Sequence, residues 1–284
     1  MNTQAVVGLA LKASIMLTLF GFGLQANRED LLYLWRKPRL LVLSLAAMFV
    51  VMPLFALLIT HEIHFDAIVV IALLALSASP VPPLLPKKVT KAGGVSPFGL
   101  GLMVIAATFS IVYVPLASYL IGKYFNRPFA MGPVAIAKLI GLSVLVPLAA
   151  GIVFRKFAPE LGARLAQPII KVAGIVLLVG SLCILAFAFS TAWSFAKNGT
   201  IPLFAGFVLV GLLVGHLSAG PDQDERTTLA LCTACRHPGL ATAVAGTYVS
   251  KEDHVFGAIL LYLIINVILT AAYVAWQRIR LKTT

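Results

Sequence analysis

Acidic side chains are scarce in this sequence. Ten Asp and Glu stand among 284 residues, against 22 Lys and Arg, and charged residues of both signs make up only 11% of the chain. A soluble domain usually carries about 25% charge, so a freely soluble globular fold is excluded. Cysteine is scarcer still: Cys183, Cys232 and Cys235 all lie inside apolar stretches, where they build no extracellular disulfide framework. There is no H-E-x-x-H, and no acid sits deep in an apolar run, which leaves an intramembrane enzyme without a general base or aspartyl group. The chain is expected not to be an enzyme and to need no cofactor.

Hydrophobic residues make up 60% of the chain, and the mean hydropathy is +0.99. A membrane-crossing helix takes roughly 20 apolar residues. Cutting the apolar runs at Pro, Gly and charge clusters predicts an all-α polytopic membrane protein with spans near 4–24, 39–60, 66–86, 97–121, 133–154, 168–189, 200–217, 227–249 and 255–276. The stretch MNTQAVVGLALKASIMLTLFGFGL has no basic start and no small-residue cleavage site, and reads as a retained first helix. Tyr33, Trp35, Tyr119, Tyr124, Trp193, Tyr248 and Trp276 fall near span ends, where amphipathic rings settle.

The net charge of +12 is spread over short hydrophilic breaks and forms no single basic face, which argues against a nucleic-acid partner. It orients the chain in a bilayer instead. With the amino terminus outside, the inner breaks hold Arg28, Arg36, Lys37, Arg39, Lys87, Lys88, Lys91, Arg155, Lys156, Arg164, Lys171, Arg226, Arg278, Arg280 and Lys282; the outer breaks hold only Lys123, Arg127, Lys197 and Lys251. The positive-inside rule then puts the carboxyl terminus in the cytoplasm of a multi-pass protein of the plasma or inner membrane.

Two spans are interrupted. The third contains Pro80, Pro82, Pro83 and Pro86, and the eighth contains Pro238 followed by Gly239. Each Pro removes a backbone donor and crowds the preceding turn. Spans 3 and 8 are five apart, so each enters from the side opposite to its counterpart, as in an inverted repeat with residues 1–126 as the first half and 127–284 as the second. Breaks are expected near 77–86 and 232–240. Half-helix ends inside a membrane persist where they serve a cavity or binding site, so the paired breaks place a substrate site where the repeats meet.

Every carboxylate lies in a break or at the start of a span: Glu29, Asp30, Glu62, Asp66, Glu160, Asp222, Asp224, Glu225, Glu252 and Asp253. The charges within the spans are positive instead. Lys12 and Lys138 lie close enough to span ends to snorkel to the interface. Arg236 sits in the second break beside His237, where a charge demands an anionic or carbonyl partner.

Across nearly its whole length the chain resembles the bile acid:sodium symporters. The resemblance is carried by GFGLQANREDLLYLWRKPRLLVLSLAAMFVVMPL, LVPLAAGIVFRKFAPEL and ERTTLALCTACRHPGLATAVA. It implies two broken helices crossing near the membrane centre, a core and a panel domain, and alternating access for organic anions. It also implies sodium-ligand positions, and these depart from the family pattern: Leu85 and Pro86 stand at the first break, Cys232 and Arg236 at the second. None offers a side-chain oxygen to a hard cation. The expected function is therefore transport of an organic anion, bile-acid-like or a small carboxylate or sulfonate, without sodium coupling. Arg236, His237, Ser79, Pro80, Thr233 and Thr242 are the candidate substrate-binding residues. Two alternatives stay open: a metal or metalloid carrier using Cys232, Cys235 and His237 as soft ligands, and a ligand sensor or channel on the same scaffold.

Overall fold

A computed structural model describes residues 3–26, 28–124, 133–248 and 252–283, and no strand occurs among them. The helices are α1 (Thr3–Gln25), α2 (Arg28–Leu32), α3 (Pro38–Ala46), α4 (Met52–Glu62), α5 (Ala67–Ala78), α6 (Leu85–Lys91), α7 (Ser96–Tyr124), α8 (Pro133–Ile140), α9 (Val146–Phe157), α10 (Pro159–Ser194), α11 (Thr200–Ser218), α12 (Gln223–Ala234), α13 (Pro238–Gly246) and α14 (Glu252–Thr283). Single π-turns, Ala47–Val51 and Gly141–Leu145, join α3 to α4 and α8 to α9. Each π-turn ends two residues before a proline, Pro53 or Pro147.

Among the described residues, six stretches are long and apolar enough to cross a membrane: Pro38–Glu62, Ser96–Lys123, Ala137–Phe157, Pro159–Gly180, Thr200–Ser218 and Val255–Arg280. α1 contributes the shorter apolar stretch Leu9–Gln25, and the two interrupted spans are the helix pairs α5–α6 and α12–α13. Every predicted span therefore has its helix among the described residues. The boundary between the two halves at 126–127, and the outer charges Arg127 and Lys251, lie outside the described residues.

Two expectations need correction. α10 begins at Pro159 and runs straight through Pro168, which had marked a span start; one missing donor in a long helix is tolerated where its neighbours hold it. This puts Lys171 inside the helix and not in a connection. At the breaks, helix ends at Ala78 and resumes at Leu85, then ends at Ala234 and resumes at Pro238. Pro86 therefore sits on α6, as a first-turn proline whose missing N–H costs nothing, and Cys232 sits on α12.

α1, α9 and α10 pack together as one group, with α1 lodged against both neighbours. Small residues let the backbones approach. A Cβ on Gly23 would lie 2.2 Å from Leu148 O and 2.9 Å from Gly151 Cα. The same device seats the second interrupted span, because Gly211 and Gly215 press α11 against Ala234 and Ala230 of α12. On the side of α12 that carries its first turn, Glu225 is bound to Lys37 and accepts from Tyr33 Oη at 2.6 Å; Tyr33 in turn stacks on Phe98. That contact fastens the 26–37 connection to the interrupted helix. The hydrogen-bonded carboxylate holds the Lys37 ammonium well above its ordinary pKa.

Candidate functional site

The two breaks touch. Extended backbone at Ser79, at the end of α5, and at Cys235, at the end of α12, turns the chain out of helix. The His237 N–H then donates to Pro80 O at 2.9 Å and lies 3.1 Å from Ser79 Oγ. α5 packs on α13 and α6 on α12, so each half-helix of one span meets a half-helix of the other.

Helix ends inside an apolar medium leave carbonyls that need donors. Several of the carbonyls at the joint have a protein donor. Arg236 donates through Nη1 to Ser79 O at 3.2 Å and through Nη2 to Met48 O at 3.1 Å. Ala234 O accepts from Tyr262 Oη and from Asn266 Nδ2, both at 2.9 Å. Met48 O is open to Arg236 because of the π-turn: the Met52 N–H goes back to Ala47 O, and Pro53 has no N–H to offer. The Tyr113 hydroxyl serves the next carbonyl, Phe49 O, at 2.7 Å.

Arg236 is only 1% exposed, and its guanidinium lies 5.9 Å from the centre of the Phe207 ring. Among the described residues it faces no carboxylate; two carbonyls and an aromatic face surround it. Of the two partners its sequence context allowed, the structure provides carbonyls. Ser79, Pro80 and Thr233 are buried as well, with the Thr233 hydroxyl lacking a hydrogen-bond partner. His237 and Thr242 are half-buried, and Gly239 between them is exposed. His237 caps α13, its Nδ1 accepting from the Leu240 N–H at 3.2 Å. As an acceptor, Nδ1 carries no proton, which makes Nε2 the N–H donor. Thr242 bonds back to Pro238 O at 2.9 Å. The site residues named from sequence thus split into a buried joint, Ser79, Pro80, Thr233 and Arg236, and an open face, His237 and Thr242.

At the positions where the resemblance led us to expect sodium ligands stand apolar or cationic side chains: Leu85, Pro86 and Cys232 are buried, and Arg236 occupies the joint itself. Lys88 brings a second cation to it. Its Nζ donates to Thr270 Oγ1 at 2.5 Å and lies 3.8 Å from Cys235 Sγ, while Cys235 is 3.6 Å from Asn266 Oδ1. No three His, Cys, Asp or Glu gather into a metal-holding group among the described residues. His237 has committed Nδ1 to a backbone N–H, and an ammonium stands beside Cys235, so the soft-ligand alternative finds no ligand set.

Sequence reasoning missed Met48, Tyr113, Tyr262, Asn266, Phe207 and Lys88. Asn266, an amide within a long apolar run four residues after Tyr262, carried a readable signal, since i and i+4 share a helix face.

A cavity of about 230 Å³ opens beside α6, lined by Phe22, Gln25, Asp30, Pro86, Thr90, Ser96, Pro97 and Leu100. One wall comes from α1 and α2, the other from α6 and α7.

Interrupted helices joined back to back, a small-residue helix group packed alongside and long apolar spans together define an all-α polytopic membrane protein. The chain belongs to the sodium bile acid symporter family, whose profile matches residues 13–197. It is 25% identical over 249 residues, 85% of this chain and 75% of the relative, to a protein of Bacillus subtilis described as the uncharacterized sodium-dependent transporter YocS. It is 28% and 26% identical over 200 residues to the P3 proteins of Mus musculus and Bos taurus. Those matches cover 69% of this chain and only 41% of either P3 protein. The family profile stops at residue 197, before α12 and α13.

Proposed function

We propose that this chain carries an organic anion across the membrane by alternating access, with a tethered guanidinium in place of a mobile sodium ion. One observation carries the reading: Arg236 spans the joint between the breaks, donating to Ser79 O and Met48 O. Main-chain oxygens at helix ends are the groups a bound sodium would use. Here Ser79, Pro80, Met48 and Ala234 give theirs to Arg236, the His237 N–H, Tyr262 and Asn266. With positive charge built in and no acid in the joint to neutralise, a mobile cation has no task there. The substrate faces the open side, where the His237 Nε2–H, Thr242 and the exposed backbone at Gly239 offer hydrogen bonds. In this reading the amino terminus is outside and the inner crevice opens to the cytoplasm.

The test is uptake and exchange of taurocholate, pantoate and pyruvate in proteoliposomes, in matched sodium and choline buffers. At least one is carried, at rates agreeing within about twofold between buffers. A sodium stimulation of about tenfold, 1.4 kcal/mol of coupling, would show that the tether has not replaced the ion. Binding of these anions without flux would assign the scaffold to sensing.

A further inference from the structure

Lys87 does not join its neighbour Lys88 at the joint. It leaves α6 toward the α1–α9–α10 group, where its Nζ lies 3.1 Å from the position a Cβ on Gly174 of α10 would occupy. A glycine there lets an ammonium rest against helix backbone, and any larger residue fills the space. Three residues earlier on the same face of α10 stands Lys171, exposed like Lys87. Neither lysine has a hydrogen bond or an ion pair among the described residues. Lys87 on α6 and Lys171 on α10 thus bring two positive charges to the same face of α10, one from each of two helix groups.

We infer that Lys87 and Lys171 together hold the anionic group of the substrate, a carboxylate or sulfonate, in the crevice between α6 and α10. This rests on the transporter reading above and deepens it by separating two kinds of positive charge. Arg236 is fixed in the joint and meets backbone; Lys87 and Lys171 are open and meet the substrate. Like charges approaching across a cleft repel, and an anion between them turns the repulsion into two attractions. The loaded crevice closes more readily than the empty one, so the same pair ties movement to occupancy. Gly174 is the positioning residue that leaves the Lys87 ammonium its place.

The experiment uses purified full-length chain. In proteoliposomes, Lys87→Gln and Lys171→Gln each lower uptake of the anion that the wild type carries by about tenfold or more, with melting temperature unchanged. Lys87→Arg keeps most of the uptake, and Gly174→Leu loses it by displacing the ammonium. Wild-type uptake in both Gln variants overturns the assignment. Should the wild type carry none of taurocholate, pantoate and pyruvate, the transporter reading fails by itself and the lysine pair is judged by labelling. In a Cys183→Ala background, Lys87→Cys is modified by an anionic and by a cationic methanethiosulfonate, each rate normalised to that of a free thiol. A preference for the anionic reagent of about tenfold, cut at least threefold by Lys171→Gln, is expected from the local positive potential. Equal normalised rates overturn the pair.

Discussion

Arg236 Nη2 donates to Met48 O across the two halves of the chain, and it does so at the one turn of the α3–α4 rod where the helix cannot serve that carbonyl. The π-turn and Pro53 create the need; the break after Ala234 brings the donor. Ser79 O, at the end of the other interrupted span, receives the second arm of the same guanidinium. Three segments far apart in sequence are thereby pinned by one side chain.

Replacing Arg236 should therefore be felt in stability. Arg236→Gln leaves two buried carbonyls short of donors, at about 1–3 kcal/mol each, and a clear drop in melting temperature of the detergent-solubilised protein is expected. Arg236→Lys recovers part of it, because an ammonium reaches one carbonyl but lacks the planar fork that spans two. A full-length Gln variant melting with the wild type would show that the joint holds without its tether.

The Glu225–Lys37–Tyr33 contact supplies a second prediction. Lys37→Met strands a buried carboxylate with Tyr33 alone and should cost about 1–3 kcal/mol; Tyr33→Phe, leaving the ion pair intact, should cost less. The pH dependence follows from the raised Lys37 pKa: stability gained from holding the proton is fully present below the ordinary lysine value and is lost only as pH climbs through the higher folded value. Melting temperatures of wild type and Lys37→Met should differ by a constant amount from pH 6 to 9 and converge in strong alkali. Convergence at neutral pH would exclude this pair as the source.

The prolines and glycines made the two breaks legible, since a missing donor leaves a mark in the sequence whatever surrounds it. What satisfied the freed carbonyls was not legible. Met48 looks like any apolar residue in a long run, and its role comes from a backbone oxygen exposed by the π-turn, not from its side chain. Arg236 announced that a partner was required, and both a substrate anion and main-chain oxygens met that requirement; only the approach of Ser79 and Met48 separates them. Pro168 misled for the reverse reason, because its lost donor is absorbed within a helix held by neighbours. Lys87 and Lys171 read as orienting charges until Gly174 placed one of them against the opposite helix group.

Glycine packing gives a third prediction, with an internal control. On α11, a methyl group at Gly215 would meet Leu229 O at 2.5 Å and Ala230 Cα at 2.6 Å, both backbone atoms that cannot swing aside. Gly215→Ala should push α12 away and cost about 1–3 kcal/mol, with transport falling as the interrupted helix shifts. Gly206, on the same helix, has nothing within 4 Å of its Cβ position. Gly206→Ala should be neutral or stabilising by up to about 1 kcal/mol. Equal effects at both positions would mean that helix propensity, and not close approach, governs α11.

Orientation is the last prediction, and it fixes which face of the membrane the Lys87–Lys171 crevice opens toward. With the amino terminus outside, Arg28 to Arg39, Lys87 to Lys91, Arg155 to Arg164, Arg226 and Arg278 to Lys282 fall toward the cytoplasm, leaving Lys123, Arg127, Lys197 and Lys251 outside. The helix order agrees with that partition: α6 and the start of α12 lie at the same level, where Val95 N donates to Thr228 Oγ1 at 2.7 Å and Arg278 Nε donates to Lys91 O at 2.7 Å. The basic segments before α7, at the start of α12 and at the end of α14 are thus gathered on one face by direct bonds, as a single cytoplasmic surface requires. Single cysteines at Lys91 and Lys197, each in a Cys183→Ala background, should report opposite sides to an impermeant maleimide on intact cells. Lys197→Cys is labelled from outside, and Lys91→Cys only after permeabilisation. Labelling of both from one side would break the odd number of crossings between them, and with it the pairing of the interrupted spans.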